Sequence, residues 1–166
     1  MLQLPLNMDL VHAESAKPLF SALEVDDNAE ITLAEITTQD YEELQALWSR
    51  TEKLNLGLIN SEAELDKYLQ RNCNLSWAAK CEGKIIGALL CGHDGLVGYI
   101  HHLAVDPTCR RLGVGKTLVI TAVAALQKQN ISRCNIVISK QNTVGARFWN
   151  ALGWTRRKGV SVMRSK

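Results

Sequence analysis

The apolar positions of this chain change period several times, and each change marks an element. Ile31, Leu33 and Ile36 form a short apolar run that reads as a first strand. Over residues 40–52 the spacing becomes helical, with Leu44, Leu47 and Trp48 on one face, acids in the first turn and Thr37 or Thr38 as a cap. Residues 54–60 contain Gly57 and read as a loop. Ser61-Glu-Ala-Glu64 has the form of a capping box and opens a second helix to about Arg71, with Leu65, Tyr68 and Leu69 inward. Residues 75–81 and 84–91 flank Glu82-Gly83 as a hairpin would, and Gly92-His93-Asp94-Gly95 turns the chain into a third strand over 99–105. An amphipathic run from Thr117 predicts a helix to about Gln129, and residues 134–139 read as a buried strand. Asn142-Thr143 caps a helix over 144–152, Gly153 ends it, and residues 154–157 and 160–164 are expected to close the sheet. The predicted order is β-α-α-β-β-β-α-β-α-β-β.

Residues 1–30 show no sustained period. They include Pro5, Pro18 and the acidic cluster Glu24, Asp26, Asp27 and Glu30, and read as a partly disordered N-terminal extension. Residues 31–166 are then one domain, large enough to bury a core. Charge divides along the same boundary. The first thirty residues hold six acids and one lysine, whereas the rest hold eleven acids and eighteen bases. A mildly basic domain suits an anionic ligand, but no basic stripe is interleaved with aromatics, so nucleic acid is not the expected partner. No apolar run approaches the roughly 20 residues that span a bilayer. Five cysteines without a C-x-x-C pair fit neither a disulfide framework nor a zinc site, and a reducing cytoplasm is the expected compartment. Four scattered histidines with no metal-ligand spacing leave no metal expected.

The chemistry concentrates between Val105 and Val119. A strand arrives at Asp106-Pro107, a loop with Arg110, Arg111, Gly113 and Gly115 follows, and a helix begins. Unpaired N–H groups at a helix start, with the dipole behind them, favour an anion, and glycines let a phosphate approach. Gly115-Lys116-Thr117 imitates the end of a nucleotide P-loop, but that motif needs a glycine where Arg110 stands. The dinucleotide fingerprint needs a third glycine where Leu118 stands. What fits is Arg110-x-x-Gly113-x-Gly115 after a strand ending in Val-Asp-Pro. It resembles the coenzyme A loop of the GCN5-related N-acetyltransferase superfamily. A second block, Asn142-x-x-Gly-Ala-Arg-Phe-Trp-x-x-Leu-Gly-Trp154, is similar to that superfamily's downstream motif and lies about thirty residues on. The segment from Gly92 through Val105 further resembles a small bacterial subgroup.

The resemblance implies an α/β (α+β) fold, a mixed and mostly antiparallel sheet flanked by helices, and acetyl transfer from acetyl-CoA to a primary amine within a ternary complex. It implies that the backbone at Leu103 and Val105 holds the pantetheine arm and that an N–H there polarises the acetyl carbonyl. The N–H groups of Leu112, Gly113, Val114, Gly115 and Lys116, with Arg110, would hold the pyrophosphate. Arg111 would reach the 3′-phosphate or stay a solvated charge. Thr117 would add its hydroxyl or face the preceding turn, and Asn142 would bond the pantetheine, cap its helix, or do both. Two departures matter. The tyrosine that commonly protonates the thiolate is Trp149, which has no useful acidity but can pack against the cofactor's thiol end. An acyl-CoA-binding module with little catalysis is therefore the alternative reading. The position of a frequent glutamate base is His101, which can accept a proton at neutral pH or serve as a pocket residue. Tyr99 shares its face and could donate a proton; His102 is expected on the other face, in a structural role. His93 and Asp94 suit turn chemistry, Glu52 could meet a cationic acceptor, and Cys109 sits beside the arginines. The acceptor is a small molecule or protein amine, and an edge strand near the C-terminus could pair two chains as a homodimer.

Overall fold

The computed structural model describes residues 2–5, 30–51 and 59–161. The elements are β1 (Leu2–Pro5), β2 (Ile31–Glu35), α1 (Tyr41–Arg50), α2 (Glu62–Arg71), β3 (Trp77–Cys81), β4 (Lys84–His93), β5 (Gly98–Val105), α3 (Val114–Lys128), β6 (Arg133–Ile136), α4 (Thr143–Ala151) and β7 (Thr155–Arg156). The seven strands make one sheet in the order β2-β3-β4-β5-β6-β1-β7. Only β5 and β6 run parallel; the other pairs are antiparallel. The mixed, mostly antiparallel sheet expected from the sequence is what forms.

Each face of the sheet carries its own core. On one, α1 and α2 bury Leu44, Leu47, Trp48 and Leu65 against Ala78, Ala88, Leu90 and Ala104. On the other, Val114, Leu118, Ala122 and Leu126 of α3, with Trp149 of α4 and Trp154, cover Leu89, Cys91, Ile100, Cys134 and Ile136. Fully buried leucines such as Leu44 and Leu47 each contribute about 2 kcal/mol by area removed from water. The start of α3 sits close to the sheet because Gly87 lacks a side chain: a Cβ there would lie 2.8 Å from Val114 Cγ1. A small residue on β4 thus sets the height of the loop that precedes α3.

The caps follow the sequence reading with small shifts. Ser61 Oγ accepts the Glu64 N–H at 3.2 Å, while the Glu64 carboxylate reaches the Asn60 N–H at 2.6 Å. Asn142 Oδ1 accepts the Gly145 N–H at 2.8 Å and caps α4. α3 starts three residues before the predicted Thr117, directly after Gly113. β6 stops at Ile136, not at 139, because β5, its parallel neighbour, pairs with it no further than Ile100.

The largest difference is at the sheet's far edge. Residues 2–5, read from sequence as part of a partly disordered extension with no strand, form a strand between β6 and β7. Four residues containing a proline carry too little period to announce a strand, and their pairing is with β6 and β7, more than a hundred residues away. Val160 and Ser161, expected to begin a last strand, are not in one. The rest of that predicted strand, residues 6–29 of the extension, and residues 54–58 with Glu52 lie outside the described residues. β7 is an edge strand, but only two residues long.

Candidate active site

β5 and β6 pair only through Gly98, Tyr99 and Ile100, opposite Cys134, Asn135 and Ile136. β5 then continues to Val105 paired with β4 alone. Along residues 101–105, which include Leu103 and Val105, its other edge has no partner strand among the described residues. An extended chain of amide groups can bond to such an edge as an added strand would.

The open edge leads into the basic loop. Asp106 organises the turn: its N–H donates to Ile86 O at 2.8 Å, and its Oδ1 accepts the Thr108 N–H at 3.0 Å and the Thr108 hydroxyl at 2.7 Å. Its Oδ2 accepts from Arg50 Nη2 at 3.2 Å, which ties the end of α1 to the loop. These hydrogen bonds, the one from the Thr108 hydroxyl foremost, hold the Asp106 carboxyl below its ordinary value although burial opposes them. The turn takes Cys109 into the interior at 7% exposure, so it is not a surface thiol beside the arginines. Arg111 and Gly113 then adopt φ of +72° and +84°, and these two left-handed residues fold the loop back over the start of α3. A Cβ on Gly113 would meet nothing within 4 Å, so the position needs glycine for its backbone, not for room.

No side chain caps α3 at Gly113, and the first bond of the helix runs from the Thr117 N–H to Gly113 O at 3.0 Å. The N–H groups of Leu112, Gly113, Val114, Gly115 and Lys116 have no backbone acceptor among the described residues. A fifteen-residue helix lies behind them. That combination of free donors and dipole favours an anion. Arg110 and Arg111 are exposed beside it, with Arg110 Nε donating to Val105 O at 3.4 Å. Thr117 Oγ1 bonds back to Gly113 O at 3.2 Å, the local alternative foreseen for it. A Cβ on Gly115 would stand 3.4 Å from the Phe148 ring and 3.5 Å from Val105 Cγ2, so loop, strand end and α4 meet there. Sequence reasoning passed over Phe148. Its signal was its place in the second motif, one residue from the Trp149 that drew attention.

Opposite this loop, β5 contains a bulge. Ala88 pairs with Ala104 and Leu90 with His101, leaving His102 and Leu103 against Leu89 alone. His102 takes φ +48°, a left-handed value that histidine tolerates better than most residues. The bulge defeats the alternation expected from sequence. His102 does not cross to the α3 side; its ring lies 5.1 Å from that of Trp48 on α1. His101 lies on the same face, 6.3 Å from Tyr68 and stacked 6.3 Å from Tyr99. Burial lowers the His101 pKa, and burial with the neighbouring His101 lowers that of His102 to about 4. Both imidazoles are therefore neutral at physiological pH, the form that accepts a proton.

The other sequence candidates divide clearly. The Tyr99 hydroxyl donates to Asp94 Oδ2 at 3.3 Å, and burial followed by the Asp94 charge raises its pKa. Asp94 Oδ1 takes the N–H groups of Leu96 and Val97 at 2.8 Å each, which lowers its own pKa. His93 accepts the Gly95 N–H at Nδ1 and faces Gln129 Oε1 from Nε2 at 2.9 Å, so it belongs to the turn. Trp149 is 6% exposed, packed edge-on 4.7 Å from Trp154 and 5.2 Å from Phe148. Asn142 is exposed at the start of α4. Among the described residues no group of three or more His, Cys, Asp or Glu gathers as a metal site, and no helix is long and apolar enough to cross a membrane.

A splayed strand pair, a left-handed glycine and an open helix start are an arrangement that comparison can test. The model of the Acetyltransferase (GNAT) family matches residues 33–154. The chain belongs to that family. Acetyltransferases of Photorhabdus laumondii and Sodalis glossinidius are 26% and 23% identical to it over 76% and 75% of this chain and 88% and 87% of theirs. Among solved structures, the PaiA N-acetyltransferase of Thermoplasma acidophilum in complex with coenzyme A is similar at TM-score 0.64 and 20% identity, over 74% of this chain and 88% of that one. An aminoglycoside acetyltransferase from an uncultured soil metagenomic sample, in complex with sisomicin, is similar at TM-score 0.68 and 21% identity, over 86% of this chain and 99% of that one. The GNAT fold is thus shared with these structures, and acetyl transfer is the family's general chemistry.

Proposed function

We infer that the protein transfers the acetyl group of acetyl-CoA to the nitrogen of a primary amine by direct attack in a ternary complex. The observation that carries this reading is the departure of β5 from β6 after Ile100, which opens one edge of residues 101–105 directly onto the donor-lined start of α3. The residues fit the cosubstrate's three parts. Leu112 through Lys116 offer N–H groups to the pyrophosphate, with Arg110 and Arg111 beside them. The edge at Leu103 and Val105 suits the amides of the pantetheine arm, with Asn142 and the Phe148–Trp149 corner on its far side. The thioester supplies an activated acetyl carbon. A main-chain N–H near Leu103 polarises its carbonyl, and in the transition state that donor meets growing negative charge on oxygen.

His101 is the assigned base. As the amine nitrogen bonds to the acetyl carbon and the carbon–sulfur bond breaks, the neutral imidazole takes the proton the nitrogen must lose. The sulfur leaves with the bonding pair and gains a proton from Tyr99 or from water. Burial keeps His101 deprotonated before the step, and Tyr99, with its raised pKa, still holds its proton. Trp149 favours a second reading, a module that binds acyl-CoA with little turnover, because its buried indole carries no acid to the thiol.

One pair of measurements separates the two. Acetyl-CoA at millimolar concentration should raise the melting temperature of the protein, and less so for Arg110→Ala. With an amine panel present, free thiol should then appear in proportion to acetylated product. No thermal shift overturns both readings; a shift without thiol release on any amine leaves the binding module.

A further inference from the structure

Acetyl transfer to an amine has one proton more than His101 can carry. At neutral pH a primary amine arrives as an ammonium, because its pKa is about 10. It sheds a first proton to gain the lone pair with which it attacks, and a second as the amide forms. His101, a single neutral imidazole, takes the second. The first needs a route to solvent.

Of the polar side chains packed about His101, Tyr99 is the one that leads outward. The Tyr68 hydroxyl on α2 and both ring nitrogens of His102 are buried with no hydrogen-bond partner among the described residues, so a proton placed on them has nowhere to go. Tyr99 is partly exposed, its ring is stacked 6.3 Å from that of His101 at an interplanar angle of 17°, and its hydroxyl donates to Asp94 Oδ2 at 3.3 Å. Asp94 is exposed on the turn between β4 and β5, where the Leu96 and Val97 N–H groups clamp its Oδ1 at 2.8 Å each. Asp40 and Asp106 are paired with Lys80 and Arg50, whereas Asp94 has no salt-bridge partner among the described residues. His93, on the same turn, is occupied by the Gly95 N–H and by Gln129.

A phenol has one proton, and Tyr99 gives its own to Asp94, so the Tyr99 oxygen keeps lone pairs for an incoming N–H. A nitrogen held between the polar edges of Tyr99 and His101 would make hydrogen bonds of about 3 Å to each, a span comparable with the 6.3 Å between the rings. We propose that Tyr99 and Asp94 are the outlet for the first proton of the acceptor ammonium. That proton bonds to Tyr99 Oη as the Tyr99 O–H bond breaks, the released hydrogen joins Asp94 Oδ2, and Asp94 hands it to bulk water. An exposed carboxylate holds it only in passing at neutral pH. The nitrogen keeps the bonding pair and attacks the acetyl carbon. His101 takes the second proton and passes it to water, and water protonates the departing sulfur, so each acetyl transfer releases one proton. Tyr99 touches the acceptor and is not the sulfur's acid; Asp94 acts through it and positions its hydroxyl. The proposal rests on the acetyl-transfer reading and adds to it the path by which the amine is made neutral.

The test varies the basicity of the acceptor. Ethylamine and trifluoroethylamine are similar in size, but fluorine makes the second a far weaker base, which arrives neutral and needs no outlet. With acetyl-CoA and the full chain at neutral pH, Asp94→Asn should lower kcat/KM for ethylamine about tenfold more than for trifluoroethylamine. Its deficit with ethylamine should shrink as pH rises toward about 9, where more of the amine arrives neutral. Tyr99→Phe removes the hydroxyl and leaves the turn intact, so it should show the same selectivity and serves where Asp94→Asn folds poorly. Equal losses on the two amines, unchanged by pH, overturn the proposal, since Asp94 then does no more than shape its turn. No loss on either amine overturns it as well, and both results leave amine acetylation standing. Acetyl-CoA binding with no turnover of either amine by the natural chain overturns it together with the transfer reading beneath it.

Discussion

The two sides of the candidate active site are made of different material. On the α3 side the candidate site presents backbone: the unpaired edge of β5, a left-handed glycine and the first turn of a helix. On the α1 and α2 side it presents side chains, mostly rings, beside a bulge. Backbone geometry suits a cosubstrate that never varies, because few substitutions alter an N–H group. A wall of side chains can be rewritten one residue at a time while the sheet behind it stays as it is. Substitutions can therefore alter the ring side more readily than the backbone side.

That contrast breaks first at Gly113. Valine there must hold φ near +84°, at a cost of about 1–2 kcal/mol, or move the loop and lose the alignment of its donors. The expected result is a loss of acetyl-CoA affinity of about a hundredfold by calorimetry, with the fold retained in circular dichroism. Near-normal binding by Gly113→Val would mean that the loop's shape does not matter. His101→Ala probes the other side. It should lower kcat by about a hundredfold, the usual scale for a missing general base, while acetyl-CoA affinity changes less than about twofold. A joint fall of both would erase the division between the two sides.

How much of this was legible beforehand follows the same division. Arg110-x-x-Gly113-x-Gly115 is readable because a backbone site forces particular residues: only glycine sits cheaply at +84°, and phosphates want arginine nearby. The helix faces were readable too, as Leu44, Leu47, Trp48 and Leu65 are buried where their spacing put them. His102 was not. Strand alternation assigns it to the α3 side, and one extra residue against Leu89 overrules that rule. The only hint was the residue type, since histidine is enriched among non-glycine residues at positive φ. Tyr68 was correctly read as inward, but nothing in a sequence says that an inward hydroxyl has no partner. β1 was missed for a third reason: its partners, β6 and β7, lie at the other end of the chain.

The histidines also give the α1 and α2 side a pH signature of its own. Burial lowers both folded-state pKa values below the unfolded value near 6.5, His102 to about 4. The unfolded chain thus binds protons that the folded one refuses. Stability is full above pH 6.5, declines as pH falls toward 4, and loses nothing further to His102 below that. Allowing for solvent around a partly exposed ring, the loss from His102 is about 1–2 kcal/mol. Urea unfolding at pH 7 and pH 4.5 should show that extra loss in the natural chain relative to His102→Asn, which keeps a residue tolerant of positive φ. Equal losses in the two proteins would remove His102 as the cause.

The smallest effect is expected where the two sides touch. Arg50, at the end of α1, donates to Asp106, the residue that turns β5 into the basic loop. The pair is the only salt bridge between these elements among the described residues, and it looks like a strut through which acceptor binding could reach the loop. Its energetics argue otherwise. The Arg50 side chain is 52% exposed, and exposed pairs of this kind are worth about 0.5 kcal/mol. Asp106 has other partners in Thr108 and Ile86, so the turn keeps its shape without the arginine. Arg50→Ala should therefore change the melting temperature by about 2 °C or less and acetyl-CoA affinity by less than about twofold. A double-mutant cycle with Asp106→Asn should return a coupling of about 0.5 kcal/mol, shrinking at high salt. A coupling several times larger, insensitive to salt, would mean that the two sides act as one unit and that the backbone and side-chain halves of the site do not vary independently.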